Sequence, residues 1–339
     1  MKPLFHSQLV NERLGDPALY VEFLFERRAL LLDLGDIAAL PPRKVLRVTD
    51  VFVSHTHMDH FVGFDRLLRL CLGRALTVAL WGPAGFIDRV EHKLGAYTWN
   101  LVQNYETDFT LLVGEYRGDG PGPRARFRCR SAFARDDLDP ATVRDGLLLD
   151  EPGFQVRAAV LDHKVPCLGF ALQETRHVNI WKNRLEAMGL PVGPWLRALK
   201  AAVLQDEPDE TPIRAWWREG GERVERLYPL GELRQELVRI APGQKLAYVV
   251  DVAYHPENAR RVIELARGAD VLYIEATFLE ADAHLAADKA HLTAAQAGHL
   301  AREAGVKTLV PFHFSARYPG REAEVRTEAE RAFRGVALK

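Results

Sequence analysis

The chain has 339 residues and a mass of 38.2 kDa, a length that allows one large domain or two ordinary ones. Hydrophobic residues make up 47% of it and charged residues 27%, which excludes an intrinsically disordered chain. The 45 basic and 46 acidic residues leave a formal net charge of −1. This balance excludes a uniformly basic surface for nucleic acid, although it allows a local basic patch.

The number of cysteines and the lack of long apolar runs indicate the cellular compartment of the protein. Cys71, Cys129 and Cys167 are too few and too scattered for a disulfide scaffold or a CxxC zinc site, which favours a reducing setting. The first ten residues lack the apolar segment of a signal peptide, and no run of 18 apolar residues occurs. We therefore expect a cytoplasmic protein without a membrane partner.

The first hundred residues predict short strands followed by helices. A charged turn at 26–28 separates two apolar runs, which indicates a β-hairpin. In chain order, the expected elements are strands at 20–25, 29–34 and 48–54, a helix at 64–72, a strand at 76–81 and a helix at 84–94.

The stretch from about 108 to 175 alternates strand-like runs, such as 109–113, 125–129 and 156–160, with breaks rich in Gly, Pro and Asp. The last hundred residues predict strands at 246–250, 271–274 and 308–312 and helices at 257–267, 293–303 and about 321–335. Strands that alternate with helices predict an α/β fold in which helices cover the sheets.

Residues 176–230 differ from both neighbours and predict an arm inserted into the main fold. They hold four tryptophans, the turn GLPVGP at 189–194 and an acidic run at 206–210. Between 176 and 200, five basic residues face one acidic residue, and Trp181 and Trp195 are interleaved with them. Such a mixture suits an RNA backbone. The alternative is a helix pair whose tryptophans serve packing, as we expect for Trp216 and Trp217.

The strongest signal is the segment HTHMDH at 55–60, directly after a predicted strand. His55, His57, Asp59 and His60 are imidazole and carboxylate ligands of the kind that Zn²⁺, Mn²⁺ and Fe use in catalytic sites. They are more ligands than one tetrahedral catalytic site takes from one segment, which predicts two metals. A solvated histidine-rich loop is the alternative interpretation.

HxHxDH is the hallmark of the metallo-β-lactamase superfamily, and the chain resembles its ribonuclease Z branch, the tRNA 3′-processing endonucleases. Further segments resemble that branch in the same order: the ligand segment at 161–170, the GP-containing arm at 189–200, and segments at 269–279, 289–297 and 313–318. The resemblance implies an αββα four-layer sandwich. We expect one domain over 1–339 with an inserted substrate-binding arm at 176–230.

Carried over position by position, the resemblance implies a complete set of ligands for two metals. His55, His57 and His163 would hold one metal, Asp59, His60 and His313 the other, and Asp251 would bridge both. His163, Asp251 and His313 each follow a predicted apolar strand, so their side chains would converge on one rim. The metals are expected to be zinc, with manganese or iron as alternatives.

The same resemblance implies that His291 acts as general acid. From the chemistry of their carboxylates, we expect Asp59 to orient the attacking hydroxide and Glu275 to fix the tautomer of His291. The substrate-binding residues would be Ser315, Arg317, Arg184, Arg197 and Lys200. A surface histidine, a structural salt bridge and a surface ion pair are the alternatives for His291, Glu275 and Arg317, respectively.

The function expected first is metal-dependent cleavage of precursor tRNA at its 3′ side. The first alternative is a dinuclear hydrolase of a small ester, lactone or cyclic nucleotide, and the second is a non-catalytic nucleic-acid-binding protein that keeps the fold. One departure bears on the site, because Asp251 lies in Val-Asp-Val where the family normally has Gly-Asp-Thr. A homodimer is implied by the resemblance alone.

Overall fold

A computed structural model describes residues 4–24 and 26–336. The predicted strand at 20–25 therefore ends on Phe25, outside the described residues, as do both ends of the domain expected over 1–339. The described part contains the α/β alternation that the sequence predicts, with additional strands in its middle.

The strands are β1 (Phe5–Leu9), β2 (Leu19–Phe23), β3 (Ala29–Leu32), β4 (Val48–Phe52), β5 (Thr77–Gly82), β6 (Thr110–Glu115), β7 (Gly120–Arg128), β8 (Arg135–Val143), β9 (Leu147–Glu151), β10 (Phe154–Asp162), β11 (Pro166–Glu174), β12 (His177–Ile180), β13 (Pro212–Glu219), β14 (Glu222–Pro229), β15 (Val238–Ala241), β16 (Lys245–Val249), β17 (Val271–Glu275) and β18 (Thr308–Phe312).

The α-helices are α1 (Pro42–Val45), α2 (Met58–Phe61), α3 (Phe64–Cys71), α4 (Phe86–Gly95), α5 (Lys182–Ala187), α6 (Trp195–Leu204), α7 (Leu230–Leu237), α8 (Pro256–Ala266), α9 (Ala283–Lys289), α10 (Ala294–Glu303) and α11 (Glu322–Phe333). Short 3₁₀ helices lie at Val102–Asn104, Cys129–Ser131 and Glu280–Asp282. Within the described residues, none of these helices is both long and apolar enough to cross a membrane.

The first large sheet follows chain order from β1 to β8. β2 and β3 form the predicted antiparallel hairpin, and the strands from β3 to β6 run parallel to one another. Parallel neighbours need crossovers, and α1, α3 and α4 lie in these connections. Leu31, Val51 and Leu80 are fully buried in the core that results.

The second large sheet has the order β18-β17-β16-β11-β10-β9. β16, β17 and β18 are parallel, and residues of α8, α10 and α11 are buried with them in a second core. The sheets contact each other as well: the Phe52 and Phe170 ring centroids are 5.7 Å apart, and the Leu168 N–H donates to the Ser54 carbonyl at 2.9 Å. The order helix, sheet, sheet, helix follows from these contacts.

The described residues form two compact units. One, the two-sheet unit, comprises 5–24, 26–149, 156–172 and 245–336. The other, the arm unit, comprises Leu4, 150–155 and 173–244, a wider range than the 176–230 expected for the arm. Whether the arm unit binds substrate stays a prediction.

The arm unit has a hydrophobic core of its own. Trp195 and Leu199 of α6, Ile213 of β13 and Leu233 of α7 are buried in it. Trp195 is only 2% exposed, and its Nε1–H donates to the Pro191 carbonyl at 3.1 Å. The expectation that Trp195 offers a surface to RNA is therefore wrong, because this ring fills the core.

The other tryptophans of the arm unit differ in exposure. Trp216 and Trp217 are partly buried and pack against the core, which confirms their expected packing role. Trp181 is 41% exposed, and the guanidinium groups of Arg184 and Arg239 lie 5.9 and 5.6 Å from the centroid of its ring. Of the two tryptophans that are interleaved with basic residues, Trp181 is therefore the one whose ring is exposed to an RNA.

Trp195→Ala should destabilise the arm unit by about 3–5 kcal/mol, because it removes a large buried side chain from a small core. Hydrogen exchange in β13, β14 and α6 measures this loss. Trp181→Ala is the matched control, with an expected cost of about 1 kcal/mol or less for an exposed ring. Equal protection of the backbone amides from hydrogen exchange in both variants would contradict the assignment of Trp195 to the core.

Candidate metal centre

Four chain segments supply the histidines and carboxylates predicted from the sequence, and each follows a strand. His55 lies three residues beyond β4, and His163, Asp251 and His313 follow β10, β16 and β18. Asp251 and His313 adopt left-handed backbone conformations, with φ of 48° and 56°. Such a conformation costs about 1–3 kcal/mol and turns the chain sharply at the strand end, although Asp and His tolerate it better than most residues.

The first cluster consists of His55, His57, His163 and Asp251, whose candidate ligand atoms all lie within 4.8 Å of one another. Asp251 Oδ2 is 3.5 Å from His55 Nε2 and 3.4 Å from His163 Nε2. Three imidazoles and a carboxylate are a donor set typical of zinc and similar divalent metals.

The second cluster consists of Asp59, His60 and His313. Asp59 Oδ2 is 3.5 Å from His60 Nε2 and 3.8 Å from His313 Nε2. Asp251 reaches this cluster too, at 3.3 Å from His60 Nε2 and 3.0 Å from His313 Nε2. Its carboxylate therefore lies between the two clusters, the position expected of a bridging ligand.

Unpartnered buried atoms test whether this donor set fits metal ions. His55 Nε2, His60 Nε2 and Asp251 Oδ1 are buried and have no hydrogen-bond partner among the described residues. The short distances around Asp251 therefore do not give these atoms well-formed hydrogen bonds. A buried polar atom without a partner costs about 1–3 kcal/mol. Coordination would satisfy all three atoms, and the donor set fits two divalent metal ions.

Protonation states in the first cluster suit metal binding. Burial, reinforced by the nearby His60, lowers the pKa of His55 to about 2. Burial and the neighbouring His163 also lower the pKa of His57. Both imidazoles are therefore neutral at physiological pH, the form that binds a metal.

Asp251 and His60 have opposite shifts. Burial by itself would raise the pKa of Asp251, but His60 and His313 hold it well below its usual range. Burial would lower the pKa of His60, but Asp251 and Asp33 raise it well above its usual value. The carboxylate of Asp251 is therefore ionised, as a metal ligand must be. The His60 ring is protonated in the absence of a metal, so metal binding at His60 Nε2 would release a proton.

Asp33 is a buried residue that the sequence reasoning missed. It follows β3 in a left-handed conformation with φ of 63°, and its carboxylate accepts hydrogen bonds from the Ser54 N–H at 2.6 Å, the Ser54 hydroxyl at 2.9 Å and the Tyr248 hydroxyl at 3.0 Å. Its Oδ2 lies 3.0 Å from His60 Nδ1, which assigns the proton to Nδ1 and leaves Nε2 for a metal.

Two histidines of the first cluster have similar support. His163 Nδ1 lies 2.8 Å from the Ala290 carbonyl, to which it donates. His55 Nδ1 lies 3.1 Å from the Ser54 hydroxyl oxygen. In each ring one nitrogen contacts the protein, while Nε2 is the atom within 3.5 Å of Asp251.

Glu275 and His291 form a pair beside the first cluster. Glu275 is fully buried, accepts the Val252 N–H at 2.7 Å and the Thr277 hydroxyl at 2.5 Å, and lies 3.0 Å from His291 Nδ1. Val252, which lacks the hydroxyl of the family's Gly-Asp-Thr, thus contributes through its backbone. Burial would lower the pKa of His291, but Glu275 raises it to about 9. The geometry supports the expected pairing.

Two of the expected substrate-binding residues, Ser315 and Arg317, follow His313 in the chain. The Ser315 hydroxyl accepts the Arg317 N–H at 3.2 Å. The Arg317 side chain is exposed, and within residues 4–24 and 26–336 it forms no ion pair of the kind proposed as its alternative role. Its guanidinium remains available for an anion.

The other three substrate-binding candidates belong to the arm unit. Arg184 lies beside the Trp181 ring and 4.0 Å from Glu236, Arg197 is exposed on α6, and burial lowers the pKa of Lys200. Asp206 neutralises Arg176 through hydrogen bonds of 2.8 and 2.7 Å. The positive excess of 176–200 is therefore smaller in the folded unit than in the sequence.

Known proteins share this fold. Residues 237–314 match the β-lactamase superfamily domain. Solved structures with a similar fold include a metallo-β-lactamase fold protein from Bacillus subtilis (TM-score 0.53, 14% identity, 96% of this chain and 92% of that one) and human tRNase Z, short form (TM-score 0.50, 17% identity, 92% and 93%). The predicted metallo-β-lactamase fold is confirmed.

Sequence relatives are more specific. The chain is 36% identical to Ribonuclease Z of Deinococcus radiodurans over 88% of this chain and 85% of that protein. It is 40% identical to Ribonuclease Z of Thermobifida fusca over 84% and 73%. These relatives confirm the resemblance that the motifs indicated.

Asp33→Asn should weaken metal binding at the second cluster about 10- to 100-fold, because it removes the charge that orients His60. Metal titration of the apoprotein measures the affinity. Tyr248→Phe is the matched control, since it removes only one hydrogen bond to the same carboxylate and should have a smaller effect. Unchanged affinity in Asp33→Asn would refute the orienting role.

Proposed function

Because the chain belongs to the ribonuclease Z family, and so is a metal-dependent hydrolase, we propose that it cleaves precursor tRNA at the 3′ side with two zinc ions. The observation that carries the proposal is the position of Asp251 between two donor clusters, in a chain that matches Ribonuclease Z over most of its length. A non-catalytic binding protein would have no need of such a donor set.

The proposed ligands are His55, His57 and His163 for one ion and Asp59, His60 and His313 for the other, with Asp251 shared. When bound, two divalent cations supply a nucleophile at neutral pH and neutralise charge on the phosphate. The Asp59 side chain is 42% exposed, unlike that of Asp251. It can therefore use one oxygen at its cluster and orient the attacking water with the other.

His291 is the proposed general acid for the leaving oxygen. Its pKa above the usual value keeps the ring protonated at neutral pH, and the hydrogen bond to Glu275 fixes its orientation. Its ring lies 4.9 Å from the ring of His163 and 6.0 Å from that of His313, so it faces both clusters. Arg317 would bind a substrate phosphate through charge-assisted hydrogen bonds.

The arm unit is proposed to bind the RNA backbone of the substrate. Arg184 and Arg197 are exposed, and the exposed Trp181 ring beside Arg184 adds a stacking surface.

We further propose a homodimer, following the family. The cytoplasmic location is proposed because all three cysteines are free and buried, which suits a reducing compartment.

His291→Ala should lower turnover of precursor tRNA by about 10²–10⁴-fold, the usual contribution of a general acid. Metal content should stay at two ions per chain, measured by elemental analysis of the same sample. Loss of metal together with activity would show that His291 is a ligand. Chelation should abolish activity, and zinc should restore it if zinc is the working metal.

Glu275→Gln tests the same pair through its pH dependence. A general acid works only while it is protonated, so activity falls as the pH rises through its pKa. Removing the Glu275 charge lowers the pKa of His291, and the fall should therefore begin at lower pH. A profile unchanged from that of the wild type would mean that His291 does not supply the proton.

Arg184→Glu combined with Arg197→Glu should weaken precursor tRNA binding and reduce the slope of log K against log salt by about two. Cleavage of a bis-aryl phosphate should stay unchanged, because that substrate is too small to need the arm. Arg43→Glu with Arg69→Glu changes the charge equally at exposed sites of the two-sheet unit and serves as control. Equal losses in both double variants would contradict a specific role for the arm.

A panel of precursor tRNA, bis-aryl phosphate, lactones and cyclic nucleotides separates this function from its small-molecule alternative. The wild type should favour precursor tRNA over every small substrate in kcat/KM. A preference for a lactone or a cyclic nucleotide would favour the alternative hydrolase.

A further inference from the structure

A cleft of about 400 Å³ shares a wall with the first metal cluster. Its lining consists of metal-cluster residues, apolar residues and one cation: His55, Thr56 and His57, then Pro83 to Phe86, Val165 and Pro166, and finally Arg89. This volume is within the range of small-molecule binding sites. A group that enters the cleft is held next to the reacting centre.

Arg89 is the cation of this wall, and within residues 4–24 and 26–336 no carboxylate forms an ion pair with it. Its neighbours on α4 are paired: Asp88 and Glu91 contact Arg135 at 2.9 and 3.2 Å. Lys93 contacts Asp65 at 3.0 Å. Among the residues that the structure describes, Arg89 is exposed and its side chain forms no ion pair. An arginine left unpaired in a cleft wall suits an anion that arrives with the substrate.

The rest of the lining suits the uncharged part of a nucleotide. Val165 is 41% exposed, and the exposed Pro166 adds apolar surface. Gly85 has φ of 83°, and a Cβ at this position would meet nothing within 4 Å, so the turn before α4 leaves space. Apolar residues and a single cation beside the metal cluster match a nucleoside joined to one phosphate.

We propose that Arg89 binds the phosphate that neighbours the scissile phosphate in the RNA strand. The nucleotide that joins these two phosphates would occupy this cleft. The inference rests on the proposed function and adds a substrate contact to it. Arg317 lies four residues beyond His313 of the second cluster, whereas the cleft of Arg89 adjoins His55 and His57 of the first. The two arginines would thus bind phosphates on opposite sides of the cleavage point, and together they would define the path of the strand.

Arg89→Ala tests the contact directly. It should reduce kcat/KM for precursor tRNA, mainly through KM, by about 10- to 100-fold, the usual effect of losing a hydrogen-bonded charged partner. Binding of a labelled single-stranded oligoribonucleotide to the metal-loaded protein should weaken to the same extent. Arg89→Lys should recover part of the loss, because it restores the charge without the planar fork.

Three controls make the result specific. Metal content and cleavage of bis-aryl phosphate, which lacks a neighbouring phosphodiester, should stay within about twofold of wild type. Arg69→Ala removes an exposed helical arginine from α3 and should leave oligonucleotide binding unchanged. The proposal is overturned if Arg89→Ala binds the oligonucleotide like wild type, if bis-aryl phosphate cleavage falls equally, or if Arg69→Ala has the same effect.

The two proposals fail in distinguishable ways. If the wild type cleaves bis-aryl phosphate but not precursor tRNA, the proposed function fails. Oligonucleotide binding then still decides the role of Arg89, since it needs no cleavage. If the wild type cleaves precursor tRNA and Arg89→Ala does so equally well, only the assignment of Arg89 is lost.

Discussion

A buried carboxylate surrounded by imidazoles is the constraint on which the rest of the site depends. Asp251 lies within 3.5 Å of Nε2 of His55, His60, His163 and His313, yet its Oδ1 has no well-formed hydrogen bond. Burying an ionised group without full compensation is costly, and divalent ions between these atoms would remove much of that cost. The α/β architecture brings these residues together because His55, His163, Asp251 and His313 each follow a strand whose end reaches the same rim, and His60 lies in the short helix α2 just beyond His55.

Around this centre the protein provides a second set of contacts that hold the rings. Asp33 orients His60, the Ala290 carbonyl orients His163, and Glu275 orients His291. These partners come from distant parts of the chain, which explains why two large sheets are needed to complete one site. Chemistry at the centre therefore depends on the packing of both sheets as well as on the ligands themselves.

The sequence predicted the parts that are local or that carry a motif. HTHMDH lies within six residues, and the strands that precede His163, Asp251 and His313 are plainly apolar. Asp33 was missed because it ends an apolar run and belongs to no cluster in sequence, although a polar residue directly after a strand next to β4 was the available signal. Its role depends on Tyr248, which lies 215 residues away.

The arm unit shows what the sequence pattern could not predict. Basic and aromatic residues alternate in the sequence, but the pattern does not reveal which rings face inward. Trp195 fills the core while Trp181 remains exposed, because α6 presents Trp195 and Leu199 to β13 and α7. The cross-strand pairing of β13 and β14, which completes this core, involves sequence runs too polar to predict as strands. Tertiary packing therefore decides which of the arm residues can meet a substrate.

The left-handed backbone at Asp251 and His313 has a consequence for how such a site can change over time. A β-branched or bulky replacement would remove a candidate metal ligand and also strain the turn, whereas Asn, Gly, Asp or His keeps the turn. A descendant that abandons catalysis is therefore steered toward these four residues at both positions. The restricted choice of residues at positions 251 and 313 should therefore persist in such a lineage after its catalytic activity has been lost.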